Sequence, residues 1–234
     1  MTMLDHRDVY LESAEAYDAL VAREDYDQHI LPALNAIRPL AGLDVVELGA
    51  GTGRLTCLLA PVVRSIQAFD VSPAMLAVAR RKLQAGGWTN WRLQEADHRQ
   101  LPLRAAVADV AISGWSICYT VTWQQENDAW RAELGKALAE MRRVLRPGGA
   151  MILLETQGTG QTTPLPPPHL RDYYAYLDAA GFASTWIRTD YRFASAEEAK
   201  TLTGFFFGDD MLARIGPQAQ PILPECTGLW WLTA

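Results

Sequence analysis

Apolar residues recur along the chain in short runs that switch between two periods. Leu43, Val45, Val46 and Leu48 form a compact run of the kind that makes a strand buried on both faces. Leu55, Leu58 and Leu59 follow at helical spacing. The same alternation continues downstream. Strand-like runs fall at 65–69, 91–96, 108–113, 150–155, 185–193 and 228–233. Helical runs stand between them. One opens at Ser72 and Pro73, an N-cap followed by a proline at the first helical position, and passes through Met75, Val78 and Leu83 to Gly86 and Gly87. A second steps through Trp130, Leu134, Leu138, Met141 and Leu145. A third covers 170–180 and closes at Gly181, and a fourth opens on the Ser195–Glu198 capping box and runs through Leu202, Phe205, Phe206 and Leu212. Ahead of the first strand, Tyr17, Leu20 and Val21 predict one amphipathic helix. Ile30, Leu34 and Ile37 predict another, with Pro32 near its start or kinking it. Strands and helices in alternation predict an α/β fold with a doubly wound parallel sheet.

The first strand runs into three glycines at alternate positions, Gly49, Gly51 and Gly53, in the string ELGAGTG. Strand, tight glycine turn and helix is the arrangement at which open α/β sheets bind nucleotides. Two cofactors compete for it. The dinucleotide pattern G-x-G-x-x-G is met at Gly49 and Gly51, but its third glycine position holds Arg54. A pyrophosphate needs a cluster of N–H groups at a helix N-terminus. S-adenosylmethionine has no phosphate and needs only room for its methionine and ribose parts.

Composition narrows the class. The chain has 234 residues, 49% apolar and 21% charged, enough for one well-buried domain over 1–234. Its net charge of −6 argues against a nucleic-acid partner and against anionic membranes. No apolar run reaches the length of a spanning helix. The acidic first fifteen residues do not read as a signal peptide, and three well-separated cysteines, Cys57, Cys118 and Cys226, suggest reduced thiols. A cytoplasmic protein without a metal site is expected; nothing sets an oligomeric state.

Further candidate chemistry sits at strand ends. Asp70 closes the second strand, 17 residues after Gly53, where a carboxylate can accept both hydroxyls of a ribose. Asp97 and His98 close the third; Asp97 either caps the turn or faces the ligand. Trp115, Tyr119 and Trp123 recur every four residues after the fourth strand, as a core face or as an aromatic wall around an acceptor. Residues 1–40 carry Tyr10, Tyr17, Tyr26 and His29, which either pack helices onto the sheet or cap the pocket. The proline-rich stretch 157–169 reads as an extended loop.

ELGAGTG, FDVSPAML with Asp70, EADH with Asp97, LRPGG before the fifth strand and DAAGF before the sixth occur in the order seen in class I S-adenosylmethionine-dependent methyltransferases. The chain resembles their small-molecule branch, the ubiquinone and menaquinone methyltransferases, over roughly 40–193. The resemblance implies a Rossmann-like seven-stranded sheet in the order 3-2-1-4-5-7-6, with strand 7 antiparallel. It implies S-adenosylmethionine across the ends of strands 1 to 4. Glu47, Gly49, Gly51, Asp70, Met75 and Asp97 would be contacts, with Met75 on the adenine and the main chain at Ser113 and Gly114 near the sulfonium. Ala50, Val71, His98 and Tyr17 complete the expected set. The implied reaction is methyl transfer by in-line displacement to a small-molecule acceptor. SGWS stands where amide- and adenine-methylating relatives carry an NPPY-type string, so no motif sets the acceptor. His29, Tyr119 and His169 are candidates for a base. Two other readings stay open: a cofactor-binding module without catalysis, and a nicotinamide oxidoreductase, which Arg54 disfavours.

Overall fold

The computed structural model describes residues 13–122, 129–216 and 220–233. Tyr10, Trp123 and the first twelve residues of the expected N-terminal cap lie outside them. Seven strands form one sheet: β1 (Asp44–Leu48), β2 (Ser65–Asp70), β3 (Trp91–Glu95), β4 (Ala108–Gly114), β5 (Leu145–Thr159), β6 (Ala183–Arg188) and β9 (Glu225–Thr233). Their order is β3-β2-β1-β4-β5-β9-β6. All pairs are parallel except those of β9, which runs antiparallel to β5 and to β6. This is the expected order, with β9 as the seventh strand of the sheet. Two short strands outside it, β7 (Tyr191–Arg192) and β8 (Ile222–Leu223), pair with each other.

Alternate strand residues feed two cores, as a period of two requires. Val45, Ile66, Val110, Ile112 and Ile152 pack beneath the helices Ile30–Ile37, Arg54–Leu59 and Pro73–Ala85. Val46, Leu48, Ala111, Met151 and Leu153 face the helices Ala129–Val144 and Arg171–Ala179 on the other side. Tyr174 from the last of these stacks on Trp230 of β9 at 4.5 Å between ring centroids.

Local chemistry explains the boundaries. Ser72 accepts the Met75 N–H at 3.3 Å, and Pro73 begins the helix behind it. The Ser195 cap is also formed, accepting from the Glu198 N–H at 3.1 Å, but the Glu198 carboxylate reaches back to the Ala194 N–H at 2.6 Å and not to Ser195. That helix ends at Phe207, because Gly208 takes φ +81° and a separate 3₁₀ turn, Asp209–Arg214, follows. The strand expected at 185–193 is two strands. Asp190 breaks it by turning its carboxylate to the Arg188 side chain and to the Glu225 N–H at 2.9 Å. β5 begins earlier than expected, since Leu145 already pairs with Ala108 before the LRPGG turn interrupts the ladder.

Three glutamates are buried in the sheet: Glu47 on β1, Glu155 on β5 and Glu225 on β9. Burial raises the Glu47 carboxyl to about 8 against the Thr56 hydrogen bond, with Asp70 adding to the rise, and raises Glu155 to about 7. Burial also raises Glu225. A carboxyl whose pKa is higher folded than unfolded contributes stability that is complete below the unfolded value, near 4.5, and is lost as pH rises through the folded value. His98 acts the other way, being lowered by burial, but its contribution is complete once pH exceeds 6.5. Stability should therefore fall between pH 6.5 and 8, by a slope on the order of 1 kcal/mol per pH unit for each glutamate still protonated. Urea midpoints at both pH values check this, and Glu47→Gln should make the fall shallower. Ser72→Ala should cost about 1 kcal/mol, seen as a lower urea midpoint with an unchanged slope.

Candidate functional site

A cavity of about 430 Å³ opens at the carboxyl ends of β1, β2, β3 and β4. The glycine turn makes its floor. Gly49 and Ala50 both donate to the Phe69 carbonyl, at 2.8 and 2.9 Å, and Gly51 donates to Asp70 Oδ2 at 2.8 Å. The turn is thus tied to the end of β2 at three consecutive residues. Two glycines are required by what surrounds them. Gly49 has φ +71°, and a Cβ there would lie 1.8 Å from Ser116 Oγ. Gly51 has φ +52° and lines the cavity, with no heavy atom within 4 Å of where a Cβ would stand. The first glycine admits the chain after β4, and the second leaves space for a ligand.

Of the residues singled out by sequence, Tyr17, Glu47, Gly49, Ala50, Gly51, Asp70, Val71, Asp97, His98, Gly114 and Tyr119 line the cavity. Four others do not. Met75 is buried under the N-terminal helix Ala14–Val21, beside Ala14, Val78 and Tyr17, and Val71 takes the cavity-facing place. Ser113 is buried one residue behind Gly114, paired with Leu48. The His29 ring is at the surface, its Nδ1 2.8 Å from the Arg188 carbonyl, and His169 is exposed next to the proline-rich loop.

The carboxylates are held differently. Asp70 uses Oδ2 for Gly51 and Oδ1 for the Ser72 N–H at 2.8 Å, and burial raises its pKa. The Val71 N–H is a third backbone donor to this carboxylate. Asp97 grips Arg99 with both oxygens, and that partner holds its carboxyl down at about 2. Glu47 accepts from the Thr56 hydroxyl at 2.6 Å. His98 lies 3.3 Å from Thr120 Oγ1, and burial keeps its imidazole neutral at pH 7.

Sequence reasoning missed how Arg54 is used. It marked this residue only as a break in a glycine pattern. The structure lays its guanidinium on the Trp115 ring, 3.8 Å from the centroid, and pairs Nη1 with Glu24 at 2.6 Å. Trp115 sits at φ +49°, an uncommon backbone state for a bulky residue. Glu24 in turn accepts from Thr189 Oγ1 at 3.0 Å, which shares a 2.6 Å contact with Thr227. The segment after the N-terminal helix is thereby fastened to the β6–β9 edge and to the cavity wall. Trp115 and Tyr119 both reach the cavity, but not on one helical face: the helix here is only Cys118–Thr122. A single glutamate beyond the first helix gave no signal that it would meet an arginine 30 residues on.

The lining suits S-adenosylmethionine better than a dinucleotide. The N–H groups of Gly51 and Gly53 are already committed, to Asp70 and to the Ala50 carbonyl, and three carboxyl groups line the space. A pyrophosphate would find these glycine-turn donors already taken. A sulfonium would find aromatic faces, and Gly51 leaves the backbone open beside it.

Residues 46–153 match the methyltransferase domain family. The chain is 31% identical over 152 residues to the ubiquinone/menaquinone biosynthesis C-methyltransferase of Rubrivivax gelatinosus, covering 64% of this chain and 55% of that protein. It is 30% identical over 152 residues to the malonyl-[acyl-carrier protein] O-methyltransferase of Serratia marcescens, covering 64% and 52%. The chain thus spans about half the length of the curated relatives it matches. A crystal structure of a SAM dependent methyltransferase from Aquifex aeolicus superposes with a TM-score of 0.55 over 98% of this chain and 94% of that one, at 15% identity, a likeness of fold. No helix of the described residues is long and apolar enough to cross a membrane. The glycine turn and the strand-end carboxylates Asp70 and Asp97 fall within residues 46–153, the stretch that matches the methyltransferase domain family.

Proposed function

We propose that the cavity binds S-adenosylmethionine and that the chain transfers its methyl group to a small-molecule acceptor. The observation that carries this reading is the pairing of Gly51 with Asp70, which puts an open backbone and a carboxylate on one side of the same space. When bound, the cofactor supplies an activated methyl on a positively charged sulfur.

The chain's own part is binding, alignment and exclusion of water. Asp70 accepts the ribose hydroxyls. Val71, which is 58% exposed, offers an apolar surface to the adenine, and Asp97 and His98 stand at its edge. Glu47, Gly49, Ala50 and Gly51 border the methionyl end. Gly114 and the main chain behind Ser113 border the sulfonium. Trp115, Tyr119 and Tyr17 wall the acceptor side with rings that favour a cation and shed water. Of the base candidates His29, Tyr119 and His169, Tyr119 alone lines the cavity, so it stands nearest where the acceptor must lose a proton. The relatives' names span a quinone and a carrier-bound acid, and the aromatic wall supports a mostly apolar small acceptor here, with no nucleic acid.

The N-terminal helix acts as a lid in this reading, because Tyr17 reaches the cavity from it. It is not detachable. Asp18 pairs with Lys82 at 2.6 Å, and removing Glu24 would leave Arg54 buried without its carboxylate.

Isothermal titration calorimetry should show binding of S-adenosylmethionine and S-adenosylhomocysteine but not NAD. Asp70→Ala should weaken both by roughly 10–100-fold, the effect of losing charge-assisted hydrogen bonds. Tight NAD binding, or unchanged affinity in the variant, would refute the cofactor assignment. Transfer of a labelled methyl to any member of a panel of quinols, phenols and acids separates an enzyme from a cofactor-binding module without turnover.

A further inference from the structure

The cavity has two guanidinium groups among its described lining residues, and they are held in different ways. Arg99 commits all its arms. Nε and Nη2 donate to Asp97, and Nη1 donates to Glu133. Arg54 commits one. Nη1 donates to Glu24, while Nη2 is buried and has no hydrogen-bond acceptor among the described residues. A donor that has given up water and found no partner is unusual in a folded protein and marks a place where something is to be bound.

The surroundings favour an anion with two oxygens. A guanidinium presents its donors as a planar fork that matches a carboxylate. The fork of Arg54 cannot swing away, because its face rests on Trp115 and its first arm is fixed by Glu24. Glu24 is in turn held from behind by Thr189, so it stays on one arm. The other ionisable groups near the guanidinium are the phenols Tyr17 and Tyr191 and the carboxyl groups of Asp25 and Glu225, both of which burial raises.

We propose that Arg54 is a carboxylate-recognising group of this cavity, with one arm kept by Glu24 and the other taken by the carboxylate of a ligand. Two sources carry that chemistry: the methionyl carboxylate of the cofactor, and a carboxylate on the acceptor. The inference rests on the reading of the cavity as the S-adenosyl site, and the test is built so that the two fail separately.

Calorimetry on the full chain compares pairs of probes that differ by the carboxylate. S-adenosylhomocysteine is set against 5′-methylthioadenosine, which lacks the amino-acid end. The aromatic acid 3-phenylpropanoate is set against its amide, each titrated with and without the nucleoside. Arg54→Gln and the double variant Glu24→Gln/Arg54→Gln, which leaves a neutral pair and no buried lone charge, should lose roughly 10–100-fold for a carboxylate probe, with the carboxylate-free partner changed less than about twofold. Loss confined to S-adenosylhomocysteine assigns the carboxylate to the cofactor. Loss confined to phenylpropanoate assigns it to the acceptor. Glu24→Gln alone keeps the guanidinium and removes its competing negative charge, so the carboxylate probe should bind more tightly than to the parent chain, a result a purely structural arginine would not give. Equal losses for both members of each pair, unchanged affinities in the arginine variants, or no carboxylate probe bound by the parent chain overturns the proposal. A parent chain that binds phenylpropanoate through Arg54 but neither nucleoside overturns the cofactor reading and leaves the role of Arg54 standing.

Discussion

The hydrogen bond from the Gly51 N–H to Asp70 is the contact on which the site depends. It joins two strand ends that sequence separates by 19 residues. With the Gly49 and Ala50 N–H groups on the Phe69 carbonyl, it fixes the glycine turn across the top of β2. The turn could otherwise take many shapes, since glycine has few steric limits. Tied down, it holds Gly51 open to the cavity and keeps Asp70 in the lining of the same space. Ser72 contributes to both sides of this arrangement. Its N–H holds the other Asp70 oxygen, and its hydroxyl caps the helix that follows. One short stretch of β2 thereby sets the cofactor side of the cavity.

The wall of the cavity after β4 is built by a second, unrelated device. Trp115 leaves β4 in a left-handed backbone state, and Arg54 lies flat against it. Arg54 is also the partner of Glu24, so the same side chain connects the glycine turn, the aromatic wall and the N-terminal segment. At 18% side-chain exposure, this arginine is nearly out of water, and its pair with the 3% exposed Glu24 gains from the low dielectric only while both partners stay. The N-terminal segment and the cavity wall are therefore parts of one polar cluster, which extends through Thr189 to Thr227 on β9.

The sheet was legible because its signals are local. Val45, Val46 and Leu48 read as a buried strand, Ser72 and Pro73 as a helix start, and each was found so. The order of the strands came from the resemblance of ELGAGTG and its companions to a family, and no periodicity could have supplied it. What was not legible depended on contacts distant in sequence. Asp190 ends β6 by binding the Glu225 N–H, 35 residues away, and nothing in the run from Thr185 to Phe193 announces a break. Met75 has the composition of an adenine contact but is covered by the helix that carries Ala14 and Tyr17. Arg54 looked like a defect in one glycine pattern, and only the fold shows its two partners, Glu24 and Trp115. Trp115 and Tyr119 were marked by spacing, yet the positive φ of Trp115 and the shortness of the helix that follows set their positions.

The central claim is that the turn pinned by Asp70 is an S-adenosyl site. A crystal structure of the chain with S-adenosylhomocysteine tests it most directly. The account predicts both ribose hydroxyls within hydrogen-bond distance of the Asp70 carboxylate, the adenine against Val71 beside Asp97, and the sulfur facing the Trp115 and Tyr119 side of the cavity. A nucleoside bound elsewhere, or one in this cavity with its ribose turned away from Asp70, would contradict it.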